Sequence, residues 1–324
     1  MTDWPAKARA FADDVLFPTA GVVDGAEVVP RDRLDRLAAE GFYGLANPEG
    51  GVASIEEAHP INAAFAGGCM TTTLVWIQHH GTLAACAFGS DHVREWVAPL
   101  SSGDVRSTVA FAGLLPEPKL RCRPDGESWV IDGVAPWVSG WGLTDVIHVA
   151  ARAPDDDVVW LIVDAAADGL RAEPHRLLGM NASATVTLHA DSVRVGADRV
   201  TSRFPWAEWP ARDAAGLRTN GSMALGIADR CCRLRGLSPL DDELECVRDA
   251  LDAGDATSFP GLRAAACTLA VRAAAALVVH EGSSAVERGT DAERLYREAG
   301  TLLVFGSRPS IRTQLLAGLD VAAP

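Results

Sequence analysis

The chain has 324 residues and a mass of 34.1 kDa, a length that accommodates two or three domains or one composite domain. Hydrophobic residues make up 48% of the chain, which excludes a disordered or fibrous protein. The formal net charge of −14 argues against nucleic acid or an anionic membrane as the main partner.

The start of the sequence shows no secretion signal, because Met1 to Pro5 carries neither a basic region nor an apolar run. The apolar stretch Ala264 to His280 is interrupted by Arg272, so we expect a buried helix and no membrane span. The sequence has seven cysteines, an odd number, and none of them forms a CxxC pair. This pattern predicts reduced thiols in a cytoplasmic protein. The pair His79-His80 lacks an i, i+4 partner, so no metal site is expected.

Residues 1–103 carry helical signals. Leu34, Leu37 and Ala38 form one apolar stripe, and Gly41 follows where a helix would stop. A Ser54-x-x-Glu57 pattern predicts a capping box at the start of another helix. The other helices predicted here are Arg31–Glu40, a buried helix over Thr71–Phe88, and a short helix over Asp91–Pro99 that the proline ends.

Residues 104–206 change to a period of two, with runs rich in Val, Ile and Trp between turn signals. The predicted strands are Ser128–Gly133, ending in a turn, then Asp145–Ala151, Val158–Val163 and Ala184–Val195. No helix-length crossover separates these runs. The pattern therefore predicts an antiparallel sandwich or barrel and disfavours a doubly wound parallel sheet.

Residues 207–324 are helical again and rich in alanine and leucine. The predicted helices are Asp213–Arg235, Leu262–Val279, Asp291–Leu303 and Arg308–Leu319, the last begun by Pro309. Helices with such small residues pack closely, as in a four-helix bundle or the core of an oligomer. The fold class predicted from this order is α+β: an N-terminal helical domain, a central antiparallel β domain and a C-terminal helical bundle.

The segment Trp137 to Asp145 is the most informative about chemistry. It crowds two tryptophans, Ser139, Gly140 and Gly142 into one turn between strands. Its glycines would let the backbone approach a ligand, an aromatic side chain could stack on a flat ring, and the serine could hydrogen-bond the edge of that ring. A plain hydrophobic hairpin explains the same residues. No GxSxG, GxGxxG or GxxxxGK[ST] pattern indicates another kind of site.

Several stretches in the right order resemble the acyl-CoA dehydrogenase family, whose domains are also helical, β and helical. Asp132–Gly140 is similar to the family's NGxKxWITNG segment, and Glu293–Ala299 is similar to its RxYRDA helix. Gly41–Gly51 resembles the stretch that enters the apolar core of the family. Leu178–Ser183 together with Asp191–Val195 resembles GxRxSxTxxxxFxxVxVP.

The resemblance implies FAD-dependent α,β-dehydrogenation of an acyl-CoA thioester, with electrons passing on to an acceptor. A glutamate base takes the α proton, and the flavin takes the β hydrogen as hydride. By the same resemblance Arg218 would hold the substrate. The residues it places at the flavin are Phe111, Gly113, Trp137, Val138, Ser139, Gly282 and Ser307.

This sequence departs from the family at both positions that can carry the base. Phe305 stands where the YEGT motif has its glutamate, and Leu217 stands at the other position, beside the retained Arg218. The arginine motif that reaches the FAD pyrophosphate of a partner subunit is replaced by Leu237–Asp242. We therefore expect the isolated chain to retain FAD weakly.

Several functions remain open after these departures. The chain could be the base-less subunit of a heteromeric dehydrogenase, as in actinobacterial members that act on CoA thioesters of steroid fragments. It could act alone with another base, for which Glu281 is the nearest candidate, or be a non-catalytic acyl-CoA-binding or scaffold protein that has lost FAD. A hydrolase that uses Cys or His is a further alternative. The C-terminal helices are expected to form the oligomer interface, with a second subunit or with a second copy.

Overall fold

The computed structural model describes residues 2–52, 54–115, 117–236, 238–306 and 308–320. It contains N-terminal helices, a central sheet and C-terminal helices in that order, which confirms the predicted fold class. Leu237 and Ser307 lie outside the described residues.

The N-terminal region packs its helices around the aromatic side chains of Phe42, Phe65 and Trp76. The predicted stop at Gly41 is confirmed, since this residue has a φ of +79° and ends the helix before it. The helices are α1 (Trp4–Phe11), α2 (Ala20–Asp24), α3 (Arg31–Ala39), α4 (Ile55–Ile77), α5 (His79–Ala87), α6 (Asp91–Arg94) and α7 (Val97–Ser102), with a π-helical turn at Ala12–Leu16.

Three local predictions for this region are wrong. The helix expected over Thr71–Phe88 is divided, because α4 ends at Ile77 and α5 begins at His79. Pro99 does not end a helix; it lies in the first turn of α7, where its missing N–H costs no helical hydrogen bond. Ser54 precedes α4 but forms no capping box, and its hydroxyl bonds the carboxylate of Glu56 instead.

The central region is one eight-stranded sheet. Its strands are β1 (Ser107–Ala110), β2 (Leu120–Asp125), β3 (Ser128–Val138), β4 (Val146–Arg152), β5 (Asp157–Asp164), β6 (Leu170–Pro174), β7 (Val186–Gly196) and β8 (Val200–Pro205). The order is β6-β7-β3-β2-β4-β5-β8, and β1 pairs with β4. Most pairs are antiparallel as predicted, whereas β1 runs parallel to β4, and β2 meets β4 in parallel at a single residue pair.

Strand β3 is longer than predicted. No turn follows Gly133; this residue has a φ of +119° and lies at a β-bulge, between Ile131 and the rest of the strand. The strand continues to Val138, with a second irregularity in its pairing with β7 between Ala135 and Val138. That second irregularity contains Trp137.

The C-terminal region has five helices where four were predicted. They are α8 (Trp209–Arg235), α9 (Pro239–Ala253), α10 (Phe259–Glu281), α11 (Asp291–Leu302) and α12 (Pro309–Leu319). The helix missed by the prediction is α9, which begins with a complete capping box between Ser238 and Asp241. By length and composition the segment Phe259–Val286 could cross a membrane, yet half of its most apolar window is buried inside the fold.

The N-terminal and C-terminal helical regions are joined by direct contacts. Asp13, in the π-helical turn, accepts hydrogen bonds from Arg230 at 2.5 Å and from Arg233 at 2.8 Å. Helices α4 and α8 approach so closely that a β-carbon on Gly67 would lie 2.6 Å from the carbonyl oxygen of Gly226. The two helical regions therefore share a core, beside which the sheet lies.

Candidate functional site

Trp137 is held in an unusual conformation at the end of β3. Its φ is +63°, a left-handed value that costs a non-glycine residue free energy and that clusters at functional sites. Its side chain is 62% exposed. One face of the indole ring stacks on the imidazole of His175, with the ring centroids 4.6 Å apart and the planes at 21°. The other face of the ring is left accessible.

Val138 and Ser139, which follow Trp137, point into the protein. Val138 is fully buried, and Ser139 is 5% exposed. The Ser139 hydroxyl lies 2.8 Å from Thr185 Oγ1, which in turn lies 2.8 Å from the Ser183 hydroxyl. The Ser139 carbonyl oxygen accepts a hydrogen bond of 2.5 Å from the Thr108 hydroxyl. These bonds fix the backbone of the turn from the inside.

Phe111 and Gly113 lie in the turn after β1, against the middle of β3. A β-carbon on Gly113 would come within 2.6 Å of the Val134 carbonyl oxygen, so only glycine permits this approach. The Phe111 ring packs 6.1 Å from Trp209, at the start of α8, and 6.4 Å from Trp160 on β5. The turn thus joins the sheet to the first residues of α8.

Leu217 and Phe305 belong to the same hydrophobic cluster in the C-terminal core. Leu217 is 6% exposed on α8, and Phe305 packs against the same hydrophobic cluster from the turn after α11. A β-carbon on the neighbouring Gly306 would lie 3.1 Å from the Asn220 side chain of α8. The arrangement places apolar side chains at both positions and leaves no proton acceptor in either side chain.

Arg218 is buried and bound within the chain. Its guanidinium donates to Ser222 Oγ at 2.6 Å and to the carboxylate of Asp252 on α9. His59 Nδ1 lies 3.9 Å from the same carboxylate and has no hydrogen-bond partner. Burial, helped by the charge of Arg218, lowers the pKa of His59 to about 4, so this imidazole is neutral at pH 7.

Comparisons with known proteins agree on one family. The model of the acyl-CoA dehydrogenase N-terminal domain matches residues 3–104. A Mycobacterium leprae protein named probable acyl-CoA dehydrogenase fadE25 is 24% identical over 316 residues, covering 88% of this chain and 76% of its own length. These matches support the acyl-CoA dehydrogenase family.

Solved structures establish the same fold over the whole length. Butyryl-CoA dehydrogenase from Megasphaera elsdenii is 15% identical, with a TM-score of 0.83 over 99% of this chain and 97% of that one. FkbI, described for biosynthesis of a methoxymalonyl extender unit, is 22% identical, with a TM-score of 0.81 over 98% of this chain and 99% of that one.

The predicted site residues divide into a group near Phe305 and a group remote from Phe305. Arg308 connects Phe111 to helix α8. Its guanidinium donates to the Asp213 carboxylate on α8 at 2.7 Å and lies over the Phe111 ring at 5.9 Å. Glu281 and Gly282 are remote. Glu281 lies 18 residues after Arg263 on α10, which is about 27 Å along the helix axis, and Arg263 contacts the Phe305 carbonyl. Ser307 lies outside the described residues.

The residues of this chain fit the ring system of the family's flavin but not its pyrophosphate. The accessible face of the Trp137 indole suits a flat heteroaromatic ring. The place of the missing arginine motif is taken by the start of α9, where Arg235 donates to Ser238 at 3.2 Å. The Ser139 hydroxyl, which was predicted to hydrogen-bond the ring edge, bonds Thr185 instead of facing outward.

Two residues near the site were missed by the sequence analysis. His175 stacks on Trp137, and Asp252 holds Arg218. Neither belongs to a motif, and Asp252 lies on the helix that was not predicted. Among the described residues no group of three potential metal ligands was found. A separate cavity of about 370 Å³ is lined by none of the predicted residues; it lies among His92, Glu95, Trp96, Pro99, Asp198 and Arg199.

Proposed function

We propose that the chain is a subunit of a flavin-dependent acyl-CoA dehydrogenase that lacks the family's base and works with a partner chain. The substrate is an acyl-CoA thioester, and the reaction removes one hydrogen each from the α and β carbons. When bound, FAD supplies the hydride-accepting chemistry. The protein acts in the cytoplasm, in lipid or steroid catabolism, and passes electrons to a separate acceptor.

The observation that carries this proposal is the apolar pair Leu217 and Phe305 at the two base positions. Both pack in the C-terminal core, and three carboxylates that could serve from nearby each bind an arginine. The pairs are Asp213–Arg308, Asp252–Arg218 and Glu298–Arg294. General-base catalysis is worth roughly a hundredfold to ten-thousandfold, so a chain without it turns over slowly.

Glu281 does not serve as a base inside one chain under this proposal. Its distance of about 27 Å along α10 from Arg263 separates its carboxylate from Phe305. It remains a candidate only toward the site of a neighbouring subunit. This argues against an independently active monomer.

Association through the C-terminal helices is supported by exposed apolar side chains there. Water contact at such positions is unfavourable unless another chain covers them. The most exposed among the described residues of this region are Val279 at 81%, Val286 at 71%, Val304 at 67% and Leu316 at 57%. We infer that a second acyl-CoA dehydrogenase subunit, or a second copy of this chain, packs on this surface.

FAD is proposed to bind with its ring system against Trp137. Val138 and Ser139 hold that turn from below, and Phe111 and Gly113 line the adjoining side. Because the arginine motif for the pyrophosphate is missing, the isolated chain is expected to lose FAD on dialysis. A base-bearing partner chain would supply the missing contacts along with the proton acceptor.

A non-catalytic acyl-CoA-binding or scaffold protein is the second candidate. One observation favours it: the Ser139 hydroxyl and the Arg218 guanidinium, both proposed to touch ligands, are bound within the chain. Visible absorption of the purified complex separates the two functions. Flavin bands support the dehydrogenase, and a colourless complex supports the scaffold.

The deciding assay follows acyl-CoA oxidation with an artificial electron acceptor. It compares the chain alone, the chain with the product of a neighbouring gene, and the variants Phe305→Glu and Leu217→Glu. Phe305→Gln is the matched control, because it adds a polar side chain of similar length without a base. We expect slow turnover alone, rapid turnover with the partner, and a gain for a glutamate variant over Phe305→Gln. Rapid turnover by the isolated wild-type chain contradicts the need for a partner.

A further inference from the structure

We propose that His175 is a positioning residue, which holds the indole ring of Trp137 so that its free face can receive a flat heteroaromatic ligand. This inference rests on the proposed flavin site and adds a residue that no family motif contains. His175 lies in the loop between β6 and β7, whereas Trp137 is the last residue but one of β3. The stacking at 4.6 Å is therefore a contact between the end of β3 and the residue that follows β6.

The conformation of Trp137 explains why such support is needed. A left-handed φ at a non-glycine residue persists only where the surroundings over-determine it. Without a partner, a side chain that is 62% exposed would also move among rotamers and lose a defined ring plane. Stacking on one face of the indole ring helps to hold the backbone conformation and restricts the side-chain rotamers. The opposite face of the ring stays accessible.

His175 is itself held at two points, which makes it a rigid support. Its Nε2 lies 2.9 Å from Thr187 Oγ1 on β7. Its backbone N–H donates at 3.0 Å to the carbonyl oxygen of Thr185. The Thr185 hydroxyl is the same group that bonds Ser139 two residues after Trp137. Thr185 and Thr187, at the start of β7, thus fix the ring from the side and the backbone from below.

The test first measures the ring itself, without flavin. Fluorescence specific to Trp137 is obtained by subtracting the emission of a Trp137→Phe counterpart from that of each protein. Acrylamide quenching of this difference signal should increase in His175→Ala and return to the wild-type value in His175→Phe, which can still stack. Thr187→Val, which removes only the bond to Nε2, should give an intermediate value. His189→Ala, a histidine on the same sheet away from the indole stack, is the control.

The second measurement titrates FAD into the same proteins together with the partner chain. His175→Ala should bind FAD about tenfold more weakly, with His175→Phe close to wild type. Unchanged quenching in His175→Ala overturns the positioning role, and so does increased quenching with unchanged FAD affinity. If the wild-type complex binds no FAD, the proposed function fails, while the quenching series still decides whether His175 holds the ring.

Discussion

Arg263 donates a hydrogen bond of 2.6 Å to the carbonyl oxygen of Phe305 and is itself fully buried. Its other partners are the Leu302 carbonyl and the Cys267 sulfur, so its charge faces the carboxyl end of α11 instead of a carboxylate. The partial negative charge of a helix C-terminus stabilises a cation there. This contact fixes the turn that carries Phe305.

Replacing Arg263 should therefore destabilise the C-terminal core. Arg263→Ala leaves a cavity and unpaired carbonyl groups, and we expect a loss of about 3 kcal/mol in the free energy of unfolding. Chemical denaturation measures this loss. Arg272→Ala, on the exposed side of the same helix, removes a pair with Glu243 and should cost less than about 1 kcal/mol. Equal losses in the two variants would contradict the role of Arg263.

Asp13 should confer stability that acid removes. Burial alone would raise the pKa of Asp13, but hydrogen bonds and charges from Arg233 and Arg230 outweigh it and lower the pKa to about 2. The carboxylate therefore stabilises the fold above its ordinary pKa of 3.8, and this contribution is lost as pH falls toward 2. Asp13→Asn should cost about 2 kcal/mol at pH 7, and the gap to wild type should close as pH falls from about 4 to 2.

The control for Asp13 is its exposed neighbour. Asp14→Asn should change the free energy of unfolding little at either pH. A gap between wild type and Asp13→Asn that stays constant from pH 7 to pH 2 would be inconsistent with the ion pairs described.

His148 should make the protein less stable in mild acid. It is 4% exposed, lies 2.8 Å from Thr201 Oγ1, and burial lowers its pKa to about 3. The unfolded chain binds a proton near pH 6.5 whereas the folded one does not, so stability falls as pH decreases from 6.5 toward 3.

His148→Gln keeps a hydrogen-bonding group without a titrating ring, and the free energy of unfolding should then vary less with pH between 4 and 6.5. Denaturation at a series of pH values measures the slope. His92→Gln, at an exposed histidine, is the control substitution. Buried His80, whose pKa burial lowers to about 4, accounts for part of the slope that remains.

Gly226 should tolerate no side chain. A β-carbon there would overlap the Ala63 backbone, with the Ala63 Cα only 3.0 Å away, so Gly226→Ala must force α4 and α8 apart. We expect a loss of at least about 2 kcal/mol in the free energy of unfolding. Gly216→Ala, on α8 with nothing within 4 Å of the new carbon, should instead stabilise by up to about 1 kcal/mol. Similar effects of the two substitutions would exclude the close approach.

Local patterns predicted the regular elements well where one apolar face dominates. The stripe of Leu34 and Leu37 predicted α3, and the positive φ of Gly41 ended it as expected. Helix α9 was not predicted, although Ser238 and Asp241 form a capping box at its start. The turn expected at Gly133 became a bulge because β7 continues to pair with β3 beyond it.

The features that could not be predicted from the sequence depend on contacts between residues far apart in the chain. The approach of His175 to Trp137 depends on the β3–β7 pairing, and that of Asp252 to Arg218 depends on how α9 packs on α8. No periodicity in the sequence encodes either distance. Conversely, the sequence alone showed that Leu217 and Phe305 carry no proton acceptor, since both side chains are apolar whatever surrounds them.

The close crossing of α4 and α8 has a consequence for how the chain is made. Gly67 and Gly226 touch in the finished protein, but about 160 residues separate them along the chain. At roughly 5–20 residues per second on the ribosome, α4 emerges about 8 to 30 seconds before the helix that covers it. The whole sheet is synthesised in that interval. The face of α4 that packs on α8 is therefore exposed to water during this interval. We expect the nascent N-terminal helices to bind a chaperone through that face.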